Sequence, residues 1–191
     1  MNELMQAVSQ SETIAIGGHV RPDGDCIGSC MGLYSYIQDN FPGKKVTVYV
    51  EEIPSAFDYL SKEEAMTEQC GADQVYDLFV ALDCGDKERL GEAAGILEKA
   101  KATYCVDHHI TNTHFCQKEQ VEADASSTSQ ILYTLMEDEK ISYATACCLY
   151  TGIIHDTGVF KHSNTSCRTM EIAGALMNKG IPFGKIIDGS F

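Results

Sequence analysis

The sequence predicts an α/β fold in which a parallel sheet carries helices on both faces. Two observations predict it. Short apolar, β-branched runs alternate along the chain with longer segments of helical period. Ionisable residues directly follow the ends of several of those runs, as they do at the carboxyl edge of an open parallel sheet.

Thr13–Gly18 (TIAIGG) reads as the first buried strand, ended by two glycines. Asp25–Gln38 reads as a helix, with Ile27, Met31, Tyr34 and Ile37 at helical spacing. Residues 40–43 break it, Lys45–Val50 forms a second strand, and Ser55–Cys70 is a weakly patterned helix. Asp77–Leu82 and Thr103–Val106 are further strands, with a helix over Leu90–Lys101 between them. Ser127–Asp138 and Tyr143–His155 carry apolar residues three and four apart and read as helices. Thr165–Lys179 is a last amphipathic helix, stopped by Gly180 and Pro182. No internal repeat or linker interrupts the pattern, so residues 1–191 read as one domain.

Composition narrows the function. Hydrophobic residues make up 44% and charged residues 22%, the balance of a globular chain. No apolar run approaches the roughly 20 residues that span a bilayer, so no membrane partner is expected. The first dozen residues are polar and acidic, without the basic-then-apolar order of a secretory signal. The expected location is cytoplasmic. Nine cysteines, an odd number without a zinc-like spacing, read as reduced structural thiols. The formal charge of −14 disfavours long duplex nucleic acid, whose phosphates it repels. Short phosphorylated molecules stay compatible with it if cations reverse the local field.

The metal-capable residues fall where such a sheet binds ligands. His19, Asp23 and Asp25 follow the first strand, Asp83 follows the strand ending in Leu82, and Asp107, His108 and His109 follow the strand ending in Val106. A lone aspartate after a strand is an ordinary turn residue or helix cap. That bland explanation does not account for histidines beside aspartates at two strand ends, nor for adjacent histidines. Carboxylates with a few imidazoles suit Mn²⁺ or Mg²⁺, whereas zinc favours cysteine-rich sets. Two such cations about 3.5–4 Å apart activate water and clamp phosphoryl oxygens.

His19-x-x-x-Asp23-x-Asp25, the isolated Asp83, Asp107-His108-His109 and Asp156 resemble the four ordered motifs of the DHH phosphoesterase superfamily. The likeness runs from about Gly17 to Gly180. It implies a Rossmann-like sandwich, a parallel sheet with helices on both faces. It also implies two divalent cations, Mn²⁺ or Mg²⁺, with His19 and Asp23 on the first, Asp25, His108 and Asp156 on the second, and Asp83 on both. Asp107 would orient the site, His109 would meet the substrate phosphate, and a water between the cations would attack. Asp107 and His109 are thus the expected catalytic pair.

Ala125-Ser126-Ser127-Thr128-Ser129 resembles a family segment that opens a helix near the active site, which makes Ser126, Ser127 and Thr128 candidate substrate contacts beside their ordinary reading as helix caps. Arg21, inside the first motif, and His162, after the fourth, are further candidates. His114, His155 and Arg168 read as a surface residue, a helix-end residue and a solvated charge.

Within the superfamily the chain looks most like the nanoRNase and phosphoadenosine-phosphate phosphatase group. The implied substrates are small nucleotides or short single-stranded oligonucleotides. A manganese-dependent pyrophosphatase or polyphosphatase is the competing enzyme, and a nucleotide-sensing module the non-enzymatic alternative. The family's smaller C-terminal substrate-binding domain, of the DHHA1 type, has no counterpart in this sequence, an expectation that bears on substrate choice. The oligomeric state stays open, a homodimer being one option.

Overall fold

Along each strand, alternate side chains project to opposite faces of a sheet, and here both faces are apolar. The computed structural model describes residues 1–60, 66–67 and 74–191. Its strands are β1 (Thr13–Gly17), β2 (Lys45–Tyr49), β3 (Met66–Thr67), β4 (Leu78–Leu82), β5 (Ala102–Asp107) and β6 (Lys118–Val121). They pair in the order β3-β2-β1-β4-β5-β6, every pair parallel. The chain winds outward from β1 through β2 and β3, then crosses back to β4 and winds the other way. The order reverses between β1 and β4, where an open α/β sheet leaves a crevice for ligands at the carboxyl ends of its strands.

The period of two assigns each strand residue to one of two cores. Ile14, Ile16, Leu78, Val80, Leu82, Tyr104 and Val106 enter the larger one. Ala15, Phe79, Ala81 and Cys105 enter the smaller. The larger is closed by α1 (Glu3–Gln10), α2 (Gly24–Asn40), α4 (Thr128–Leu135), α5 (Tyr143–Asp156), α6 (Cys167–Met177) and α7 (Phe183–Ser190). The smaller is closed by α3 (Ala94–Lys99) and the turn before it. Helices therefore cover both faces, unequally. No helix among the described residues is long and apolar enough to cross a membrane.

Several expectations shift. The helix foreseen over Leu90–Lys101 is shorter: Gly91, at φ 58°, ψ −131°, interrupts the 3₁₀ stretch over Glu88–Ala93, and α3 begins at Ala94. The helix foreseen to Asp138 stops at Leu135, where Met136 turns extended. Of the helix foreseen over Ser55–Cys70, Ser55–Leu60 forms a 3₁₀ turn and 66–67 pair as β3, while the remainder lies outside the described residues. Three elements carry no clear period in sequence. The acidic N-terminus forms α1, with the Asn2 side chain accepting from the Met5 N–H at 3.0 Å. The polar segment Lys118–Val121 becomes an edge strand through backbone pairing to β5, and α7 follows Pro182.

One packing contact does most to position the site. A Cβ on Gly28 of α2 would stand 2.5 Å from the Cys148 carbonyl oxygen and 2.9 Å from the Gly152 nitrogen of α5. The two backbones thus approach to a distance that no side chain fits between. Gly28→Ala forces one helix off the other, and overpacking of this kind costs about 1–3 kcal/mol. Urea denaturation is expected to show that loss, whereas Gly174→Ala, where a Cβ meets nothing within 4 Å, leaves stability unchanged or slightly raised.

Candidate functional site

The ends of β1, β4 and β5 meet the start of α2 and the end of α5, and seven ionisable residues converge there. His19 follows β1. Its Nδ1–H donates to the Val20 carbonyl at 2.9 Å, leaving Nε2 as a lone-pair donor facing Asp23 Oδ1 at 3.7 Å and Asp83 Oδ2 at 3.5 Å. Asp23 caps α2, its Oδ1 accepting from the Asp25 and Cys26 N–H groups, both at 3.1 Å. Asp25, in the first turn, is fully buried, and the Thr128 and Ser129 N–H groups at the start of α4 donate to its two oxygens at 2.7 and 3.0 Å.

Asp83, directly after β4, has φ 55°, a left-handed conformation uncommon outside glycine. It turns one oxygen each way. Oδ2 faces His19, while Oδ1 stands 3.4 Å from His108 Nε2 and accepts from Thr128 Oγ1 at 3.1 Å. His108 Nε2 is also 3.1 Å from Asp156 Oδ2, at the last residue of α5. The possible donor atoms form compact sets: His19 with Asp23 and Asp83, Asp25 with His108 and Asp156, and Asp83 with His108 and His109, each set within 4.8 Å.

Charge in the cluster is crowded. Burial drives Asp25 well above the ordinary carboxylate range, reinforced by Asp83 and Asp156, and burial raises Asp156 as well. Burial would raise Asp83 too, but His108 and His19 beside it hold it down. Burial would lower the imidazole of His108, yet Asp156 and Asp83 outweigh it and push His108 up to about 11. His19 is raised by Asp23 and Asp83, again against burial. Protons thus sit where cations would neutralise the same carboxylates. A set of imidazole Nε2 atoms and carboxylate oxygens, crowded to this degree, fits two divalent cations.

Asp107 lies outside those sets, fully buried at the end of β5. His109 Nδ1–H donates to its Oδ1 at 2.6 Å and the Asn112 carboxamide donates to its Oδ2 at 2.7 Å, so His109 keeps Nε2 free. That hydrogen bond to Asp107 raises the His109 imidazole. Asn112, unremarked in sequence, is held in turn by the His114 N–H, which donates to its Oδ1 at 2.7 Å.

The candidate substrate contacts divide. Ser126, Ser127 and Thr128 are fully buried, and their hydroxyls serve the protein. Ser126 Oγ donates to Gln130 Oε1 at 2.6 Å, Ser127 caps α4 and Thr128 donates to Asp83. Within the protein, Thr128 and the Ser129 N–H reach the buried carboxylates, while the Ser126 and Ser127 hydroxyls bond to Gln130. Arg21 and His162 are exposed at the rim. Arg21 has φ 54° and its backbone N–H donates to Glu51 Oε2 at 3.0 Å; His162 Nδ1 lies 3.2 Å from the Asp156 carbonyl oxygen.

The remaining histidines and Arg168 stand apart from the cluster's donor sets. His114 pairs with Glu119 at 2.6 Å and Arg168 with Glu122 at 3.3 Å, while His155 stacks on Phe191. Gly152 is a site residue that sequence gives no sign of. A Cβ there would run into Ser129 Oγ and Asp25 Oδ1, so the glycine leaves room for the buried carboxylate.

Comparison with known proteins fits this geometry. The description "DHH family, N-terminal domain" matches residues 13–153. A probable bifunctional oligoribonuclease and PAP phosphatase of Streptococcus mutans is 30% identical, over 96% of this chain and 58% of its own length. A bifunctional oligoribonuclease and PAP phosphatase of Mycoplasma pneumoniae is 32% identical, over 97% of this chain and 59% of its own. The chain thus spans about three fifths of these relatives. The crystal structure of an exopolyphosphatase-related protein from Bacteroides fragilis superposes with a TM-score of 0.89 at 25% identity, covering 98% of this chain and 58% of that one.

The raised histidines set a pH dependence for the cation-free protein. His108 rises from 6.5 to about 11 on folding, so its stabilisation is fully present below about pH 6.5 and lost as pH climbs toward 11. Raised Asp25 and Asp156 act in the same direction at lower pH. Chelator-treated protein is expected to melt lower at about pH 9 than at pH 6.5, and His108→Gln to flatten that fall. A melting temperature that rises over the same interval contradicts the pairing.

Proposed function

Because this chain belongs to the DHH family, we propose that it hydrolyses phosphate esters of small nucleotides and very short oligoribonucleotides with two divalent cations, Mn²⁺ or Mg²⁺. The observation that carries the reading is the division of Asp83, one oxygen toward His19 and the other toward His108. A carboxylate so placed would serve both cation sets. His19 and Asp23 complete the first set, and Asp25, His108 and Asp156 the second. Cations held there by these residues would supply an activated water and neutralise phosphoryl oxygens.

The side chains carry the rest. Asp107 fixes the ring of His109, whose free Nε2 is the group offered to a phosphate oxygen. Arg21 and His162, at the rim, are the candidates for holding the substrate's outer phosphate. The relatives' names, oligoribonuclease and PAP phosphatase, agree with short anionic substrates. So does a net charge of −14, which selects against a long polyanion. A cytoplasmic location is proposed with that substrate class. Likeness to an exopolyphosphatase-related structure favours a second reading, an inorganic polyphosphate or pyrophosphate hydrolase. A non-catalytic nucleotide sensor is less consistent with a complete ligand set.

Product release is measured with Mn²⁺ on adenosine 3′,5′-bisphosphate, a diribonucleotide, pyrophosphate and a short polyphosphate in parallel. Release from the first two alone is the expected result; release from the inorganic substrates alone moves the assignment to the second reading. His109→Ala is expected to keep both cations and lower turnover by about 100-fold or more.

Asp83→Ala is expected to lose both cations together, as read by bound metal per chain. Two ions retained in that variant sink the shared-carboxylate arrangement.

A further inference from the structure

The segment after Asp156 carries strain that the site as described does not use. Gly158, Val159 and Phe160 have φ of 54°, 54° and 64°, three successive left-handed residues, of which only the first is glycine. L-residues rarely adopt that conformation, and a β-branched valine least of all. The turn is held by the Val159 N–H donating to the Ile154 carbonyl at 2.8 Å and the His162 N–H donating to the Thr157 carbonyl at 2.9 Å. Strained backbone persists where its surroundings over-determine it, and it clusters near functional groups. The turn returns the chain across the end of α5 and delivers Asn164 to the mouth of the cluster.

There the Asn164 carboxamide donates to two carbonyl oxygens, of Ser126 and of Asp156, each at 3.1 Å. Ser126 directly precedes the α4 cap, whose next two N–H groups hold the Asp25 carboxylate. Asp156 ends α5 and carries the opposing carboxylate. One exposed side chain thus spans the two elements that present Asp25 and Asp156. The far end of the loop is anchored to α4 as well. Thr169, in the first turn of α6, donates to the same Gln130 Oε1, at 2.7 Å, that accepts from Ser126.

We infer that Asn164 is a positioning residue for the second cation set, clipping the end of α5 to the start of α4 and so setting the separation of the Asp25 and Asp156 carboxylates. It touches neither cation nor substrate; it acts through two backbone carbonyls. The first set, His19 with Asp23 and Asp83, has no member on either clipped element; its link to them is the Thr128 hydroxyl on Asp83, so it feels the clip less than the second set. The inference rests on the two-cation reading above and predicts something that reading does not, an asymmetry between the two cations.

The test is Mn²⁺ titration of the full chain, followed by the electron paramagnetic resonance of free Mn²⁺, on wild type, Asn164→Ala and Asn164→Leu. Asp156→Asn identifies which binding class belongs to the second set. Both Asn164 variants are expected to weaken that class by roughly 10–100-fold, the usual cost of losing a residue that orients a ligand. The other class weakens by much less than that, and the melting temperature of the cation-free protein stays unchanged, since Asn164 is exposed. Two classes in wild type with neither altered in the variants overturns the clip and leaves the two-cation reading standing. Equal weakening of both classes, or weakening of the first alone, also overturns it. Fewer than two classes in wild type overturns both.

Discussion

The site depends on keeping a carboxylate charged where water cannot reach it. Asp83 is 2% exposed, and burial alone would neutralise it. It stays ionised because an imidazole faces each of its oxygens and a threonine hydroxyl donates to one of them. That requirement fixes what must surround it: His19 from one strand end, His108 from another, and the start of α4 above. The left-handed backbone at Asp83 is the local consequence, since the side chain must leave β4 in a direction an extended residue would not give.

A second carboxylate, Asp25, is buried on the same terms but satisfied differently. Two backbone N–H groups at the start of α4 donate to it. These are donors that a helix leaves unpaired, at the end where its dipole favours negative charge. The arrangement needs α2, α4 and α5 close together at one point. Gly28 lets α2 approach α5, and Gly152 leaves space for the carboxylate itself. Close packing and electrostatics are therefore one problem here. A methyl group at either glycine would displace charge as well as volume.

The surface and the site carry opposite demands. The chain is strongly acidic, and its metal-capable pocket adds further carboxylates, so a bare anion gains nothing by entering. Only with cations between the carboxylates does the local field favour a phosphate. In the proposed function, ligand set, net charge and substrate size are linked through that reversal of sign. It is also why the raised histidines of the cation-free state are informative: protons occupy, at lower charge, the places where metal would sit.

Much of this was legible in the sequence. The buried strands announce themselves because a parallel sheet covered on both faces needs continuous apolar runs, and TIAIGG and DLFVAL are such runs. The candidate ligands His19, Asp23, Asp25, Asp83 and His108 follow strand ends, so adjacency along the chain already places them on one edge; Asp156, at the end of α5, does not share that signal. Elements lacking an apolar period were not legible. Lys118–Val121 is a strand only because β5 offers it a backbone edge, and α1 and α7 are short helices fixed by packing.

The sequence by itself determined the parallel α/β class and which residues come to the sheet's carboxyl edge, because hydrophobic period and strand-end position are local properties. Only the tertiary structure decided that Asp83 divides its oxygens between two histidines, that Thr128 donates to Asp25 and Asp83 while the Ser126 and Ser127 hydroxyls bond to Gln130, and that Asn112 holds Asp107 and Gly152 leaves room for Asp25. Most of those rest on partners distant in sequence, brought within a few ångströms by helix packing that no local pattern encodes.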